Sequence, residues 1–232
     1  MKLITIHQPN YMPWSGFFHK WMISDAFIIL DSVQYHKNEW QNRNRIKTAQ
    51  GTQWLTVPVT YRFPQRIEEV GIAPQPWARK QIAAIEQAYA KAPFFDSHWP
   101  PLKHILMQPW SQLSELNIAL IRQVGELLHC QAPIYIASQM QPQSDEPTER
   151  LIQLCHALDG TAYLSGSEGR NYLQREQFTQ AGLTLYFQDV TPPIYPQLHG
   201  DFIPYLTALD LLLNTGPESA SIIRTMGGAQ HA

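Results

Sequence analysis

Charge is scarce in this chain. Asp, Glu, Lys and Arg make up only 16% of its residues and nearly cancel, to −2 at pH 7. That balance lacks the basic excess that tracks nucleic acid or an anionic membrane, so neither is an expected partner. Cysteine is scarcer still. Cys130 and Cys155 are the only two in 232 residues. Both lie in apolar stretches and read as buried thiols in a reducing cytosol or, alternatively, as one disulfide. No apolar run approaches the about 20 residues of a membrane span. The run Leu3-Ile4-Thr5-Ile6 is too short for a signal peptide, and the chain is expected in the cytoplasm. HxxxH, HExxH and CxxC are missing, so no metal site is expected and any cofactor stays unassigned. GxSxG is missing as well, which leaves a hydrolase triad without an anchor.

Proline and aromatic rings are abundant instead. There are 18 Pro and seven Trp, with 44% apolar residues to supply a core. The length suits one domain over residues 1–232. Strands are expected at Leu3–Ile6, Ala26–Leu30, Gln53–Val59, Pro133–Ala137, Ala162–Leu164 and Leu183–Phe187, from β-branched or uniformly apolar runs. Helices are expected at Phe17–Ser24, Gln75–Ala92, Ser111–His129, Thr148–Leu158, Arg175–Ala181, Tyr205–Asn214 and Pro217–Met226, from apolar spacing and terminators such as Gly160. The stretch "PFFDSHWPPLKHILMQPW" is too rich in Pro to read as one helix, and Gly227–Ala232 reads as a frayed tail. Strand and helix alternate at both ends. The expected fold is therefore α/β, with a mainly parallel, Rossmann-like sheet of about five or six strands. A mainly helical insertion is expected at about 75–130.

Ligands of open α/β sheets bind beyond the carboxyl ends of the strands. Three loops there are dense in polar groups and rings. "HQPNYMPWSGFFHK" follows the first strand. In it His7 suits proton transfer, Gln8 can orient a carbonyl or hydroxyl, Tyr11 and Trp14 offer flat faces, Gly16 permits close backbone approach, and Lys20 adds charge. "DSVQYHKNEWQNRNRIK" follows the second strand, starting at Asp31. Lys37, Arg43, Arg45 and Lys47 against Glu39 give it a local +3, with Gln34, Tyr35, Trp40, Asn42 and Asn44 interleaved. Arginine forks suit phosphate or carboxylate on a small molecule. The third loop, "YLSGSEGRNYL", holds Ser165, Gly166 and Arg170, whose backbone can wrap an anion or simply start a helix. Near the C-terminus Tyr205 and Asp210 sit on an apolar helix. Asp210 there either pairs structurally or orients His7 or an arginine.

These stretches, with "FIPYLTALDLLLNTGPES", resemble the WbqC-like proteins over nearly the whole chain. The resemblance implies a bacterial cytosolic protein connected with surface-polysaccharide (O-antigen) or modified-sugar synthesis, generally treated as an enzyme. A fold-level likeness to nucleotidyltransferases of the pantothenate synthetase kind is weaker. Of their HxGH signature only the glycine matches, at Trp14-Ser15-Gly16-Phe17. The expected function is a transferase or ligase acting on a nucleotide-linked sugar or similar activated small molecule. In that reading His7 is the general base and Arg43, Arg45 and Lys47 form an anion clamp. The rival is a non-catalytic sugar-nucleotide-binding accessory protein using the same residues.

Overall fold

The computed structural model describes residues 1–141 and 144–232. In chain order the elements are β1 (Leu3–His7), α1 (Ser15–Met22), β2 (Ala26–Ile29), β3 (Arg43–Thr48), β4 (Gly51–Thr56), β5 (Val59–Thr60) and β6 (Gly71–Ile72). There follow α2 (Trp77–Tyr89), α3 (Phe95–Leu106), α4 (Leu113–Leu127), β7 (Ile134–Ile136), α5 (Pro147–His156), β8 (Ala162–Ser165), α6 (Arg175–Gln180), β9 (Thr184–Val190), α7 (Ala208–Thr215), α8 (Ser219–Arg224) and β10 (Gly227–His231).

Six strands form one mainly parallel sheet in the order β10-β9-β8-β1-β2-β7, with β10 alone antiparallel. The chain builds outward from β1 to β2 and β7, then returns to the other side of β1 for β8 and β9. The strand order therefore reverses between β1 and β8. β2 shows how its sequence serves both faces. Phe27 and Ile29 join the core under α1, whereas Ala26 and Ile28 join the core under α5 and α6. Helices thus cover both faces, which is why the sheet strands read as continuous apolar runs. α1, with Phe17, Phe18 and Trp21, lies on one face; α5 and α6, with Leu154, Cys155 and Phe178, lie on the other. Cys130 and Cys155 are free thiols, and burial raises the pKa of each to about 12. No helix among the described residues is long and apolar enough to cross a membrane.

Four expectations are corrected. Gln53–Val59 is not a strand of the large sheet: β4 pairs with β3 in a separate antiparallel hairpin of six residue pairs. The Pro-rich stretch is helical from Phe95 to Leu106, straight through Pro100 and Pro101. Burial of Trp99, Leu102 and Leu106 offsets the two lost N–H donors, whose acceptors lie in the exposed first turn. α7 begins only after Thr207, whose side chain caps it, so Tyr205 stands outside the helix, with φ 59°. The expected frayed tail is β10, paired over five residues with β9. His19 helps hold it there. Its Nε2 donates to the Gly227 carbonyl (3.2 Å) and its Nδ1 accepts from Gln188 Nε2 (3.0 Å), an amide that also donates to the Gly16 carbonyl.

Candidate functional site

The loops after β1 and β2 are sewn into one unit by side-chain amides. Gln41 donates to the Gln8 side-chain carbonyl at 2.6 Å. Asn44 donates to the carbonyls of Met12 and Tyr11, and the Tyr11 N–H donates to the Trp40 carbonyl. From α4, Asn117 donates to the Pro9 and Gln41 carbonyls at 2.7 and 2.8 Å, bridging both loops at once. Each bond meets a backbone or amide group that burial would otherwise leave unsatisfied. Gln8, Asn42 and Asn44 are thus committed at least in part to the framework. Asn42 reaches the Val57 carbonyl through its amide nitrogen, while its Oδ1 meets no partner among the described residues. Asn117 was not legible as a site residue, since it lies inside the apolar stripe of α4.

His7 ends β1 beside the point where the strand order reverses. Its Nδ1–H donates to the Gln8 carbonyl at 3.0 Å, a partner that can only accept. The ring packs edge-on against Phe17, with centroids 4.7 Å apart. This leaves Nε2 as the acceptor. Burial, then the charge of Lys20, lower the His7 pKa to about 3, although part of the residue remains accessible. Lys20 is buried on α1 and donates to the Ile6 carbonyl at 3.1 Å. Burial lowers its pKa to about 7. The pair therefore favours a neutral imidazole beside an amine that titrates near neutrality.

The most exposed chemistry lies on β3 and β4. Arg43 sits over the Trp54 ring at 4.5 Å, and Arg45 lies 5.5 Å from Trp54 and 6.0 Å from Trp40. The two indoles are 5.8 Å apart and 39% and 46% exposed, so their edges remain open to a ligand. Neither guanidinium forms an ion pair among the described residues, and Arg45 Nε is buried without a hydrogen-bond partner. The Arg45 carbonyl accepts from Thr207, which bridges to Trp14, whose ring lies 5.4 Å from that of Tyr205. Trp54 was missed because it reads as an ordinary strand residue until the hairpin pairs it with Arg45.

Other candidate residues have structural partners. Tyr11 is fully buried and donates its hydroxyl to Gln81, so it offers a ligand no face. Gly16 is filled by Trp14: a Cβ there would lie 2.1 Å from the indole. Asp31 accepts from the Ser138 N–H and hydroxyl at 2.9 and 2.7 Å, tying the end of β2 to that of β7. Gln34 bonds Tyr35 and Gln65 backbone groups. Tyr35 is core, packed on Tyr61, with a hydroxyl that meets no partner among the described residues. Lys47 is buried and donates to the carbonyls of Gly200 and Asp201 at 3.0 and 2.6 Å. Asp210 accepts from the hydroxyls of Tyr89 (2.7 Å) and Tyr195 (2.8 Å), and burial raises its pKa. Its partners are these tyrosines and Asn214 rather than His7 or an arginine. Ser165 is buried against Gly169, Gly166 borders open space, and residues Ser167–Asn171 form a short 3-10 turn. Arg170 reaches Gln230 at 2.6 Å and covers the Phe187 ring. Lys37 is exposed at the tip of the second loop. No cluster of three metal-ligating side chains occurs among the described residues.

No solved structure matches the chain. A protein of Mycobacterium tuberculosis, uncharacterized protein Rv1507c, is 37% identical over 228 residues, covering 97% of this chain and 98% of its own. Residues 8–222 match the WbqC-like protein family. That span takes in the sewn loops, the Arg–Trp hairpin and the Asp210 network alike, and the chain belongs to the WbqC-like protein family.

Proposed function

We propose that the protein is a cytoplasmic enzyme of surface-polysaccharide or modified-sugar synthesis, a transferase or ligase acting on a nucleotide-linked sugar. In this reading the chain is one α/β domain with a helical insertion at about 75–130, and its strand order is that of Rossmann-like nucleotide-binding sheets. The observation that carries the proposal is the pair of unpaired guanidiniums, Arg43 and Arg45, held on tryptophan faces in a hairpin sewn to the loop after β1. Arginine so placed suits an anionic group on a small molecule. Trp14, Trp40 and Tyr205 supply flat apolar walls. At the reacting end, His7 Nε2 accepts the hydrogen bond of the acceptor hydroxyl or amine. Lys20, with a pKa of about 7, is the neighbour better matched to carry the proton.

A thermal-shift panel of nucleoside diphosphate sugars, ATP and neutral sugars tests the reading. Ligands of the native state raise its apparent stability. A shift with nucleotide sugars and none with neutral sugars is expected; no shift with any nucleotide at millimolar concentration removes the proposal. A second reading, a non-catalytic sugar-nucleotide-binding accessory protein, draws on one observation: a His7 pKa of about 3 makes a weak base at neutral pH. His7→Ala separates the two, because binding retained with turnover lost favours the enzyme. Turnover retained in a folded His7→Ala protein removes His7 from catalysis.

A further inference from the structure

We infer that Arg43 and Arg45 together grip the diphosphate of the ligand, and that Lys47, on the same strand, takes no part. This deepens the nucleotide-sugar reading and rests on it. The two arginines are at i and i+2 of β3, so their side chains leave one face of the strand roughly 7 Å apart. The frame beneath them is fixed. β3 pairs with β4 over its whole length, and Asn44 and Ile46 point the other way, into the amide lacing and the core. A guanidinium held by an indole face is positioned without spending its N–H groups, so both forks stay free to donate. No carboxylate neutralises either one among the described residues. Lys47 continues the same i, i+2, i+4 row, but its ammonium is taken up by the Gly200 and Asp201 carbonyls.

The row thus presents two planar donor forks and two charges. A carboxylate has only two oxygens and satisfies one fork, and a single phosphate reaches both only if the forks turn inward from strand positions roughly 7 Å apart. Two linked phosphates span both, each with oxygens for one bidentate contact. Free pyrophosphate, a nucleoside diphosphate and a nucleotide sugar share this chemistry, and a binding experiment tells them apart.

The experiment is isothermal titration of the full chain at fixed ionic strength with pyrophosphate, orthophosphate, acetate, UDP and UDP-glucose. Pyrophosphate is expected to bind at least about tenfold tighter than orthophosphate, as two forks rather than one would give. Arg43→Lys and Arg45→Lys keep the charge and lose the fork, and each is expected to weaken pyrophosphate about tenfold. Lys2→Gln, exposed at the end of β1 opposite the loops, is expected to bind as the parent does. Thermal melts of each variant establish that it is folded. Pyrophosphate binding no tighter than orthophosphate, no pyrophosphate binding at millimolar concentration, or both Lys variants binding as the parent would each overturn the clamp. UDP-glucose binding that ignores both arginines also overturns the clamp while sparing the nucleotide-sugar reading. Pyrophosphate binding that depends on both arginines, with no binding of UDP-glucose or of any nucleotide in the thermal-shift panel, supports the clamp and removes that reading.

Discussion

Arg45 and Lys47 sit two residues apart on one face of β3 and meet opposite fates. Lys47 is buried among carbonyls, beside an Asp210 that two tyrosine hydroxyls already serve. Arg45 lies 5.5 and 6.0 Å from the rings of two half-open indoles, with no anion of its own. One strand thus divides a closed polar network from an open one. In the first, every charge is answered within the fold, so its residues should govern stability. In the second, the charges are positioned but unanswered, so its residues should govern binding.

The largest effect expected is at Asp210. Asp210→Ala strands the buried Tyr89 hydroxyl and the half-buried Tyr195 hydroxyl, and should cost about 3–5 kcal/mol in urea unfolding. A loss under 1 kcal/mol, within the range of an ordinary surface substitution, would break the comparison. Asn117→Ala removes donors from two buried carbonyls and should cost about 2–3 kcal/mol, with faster hydrogen exchange in both loops. Gly16→Ala drives a methyl into the Trp14 ring and should cost about 1–3 kcal/mol, together with a change in the near-ultraviolet signal of Trp14 against Tyr205.

The Lys20 prediction concerns pH. Its folded pKa of about 7 lies below its ordinary 10.5. Between those values the unfolded chain holds a proton that the folded chain does not, so stability should rise with pH across that window. Lys20→Met should flatten that rise; an unchanged slope would mean that the amine is not buried as described. The smallest effect belongs to the open network: Arg43→Gln should change stability by less than about 1 kcal/mol, whatever it does to ligand binding.

Much of the sheet could be read from the chain, because strands covered on both faces announce themselves as short apolar runs. His7, Asp31 and Ser165 fall at or just beyond the ends of β1, β2 and β8, where the reading placed them. What escaped was set by partners far away in sequence. β10 carries two glycines and no strand propensity of note; it is a strand because β9 offers an unpaired edge. α3 crosses two prolines because its apolar side is buried against α4. Tyr11 looked like a pocket wall, and its hydroxyl instead donates to Gln81, 70 residues on, inside the core. The second loop read as a local +3, with Lys37, Arg43, Arg45 and Lys47 set against Glu39. Only the carbonyls of Gly200 and Asp201, 153 and 154 residues on, set Lys47, which gives its donors away, apart from Arg43 and Arg45.

The contact between His19 and the last strand has a consequence for acid. The Gln188 amide donates to the ring's Nδ1, so the imidazole must be neutral with its hydrogen on Nε2, facing Gly227. A second proton would set two N–H groups against each other and break the contact with Gln188. Burial already holds the His19 pKa below its usual value. Deep acidification should therefore loosen the ring's hold on Gln188 and, with it, the anchorage of β10. One hydrogen atom on one ring acts as a latch on the terminal strand.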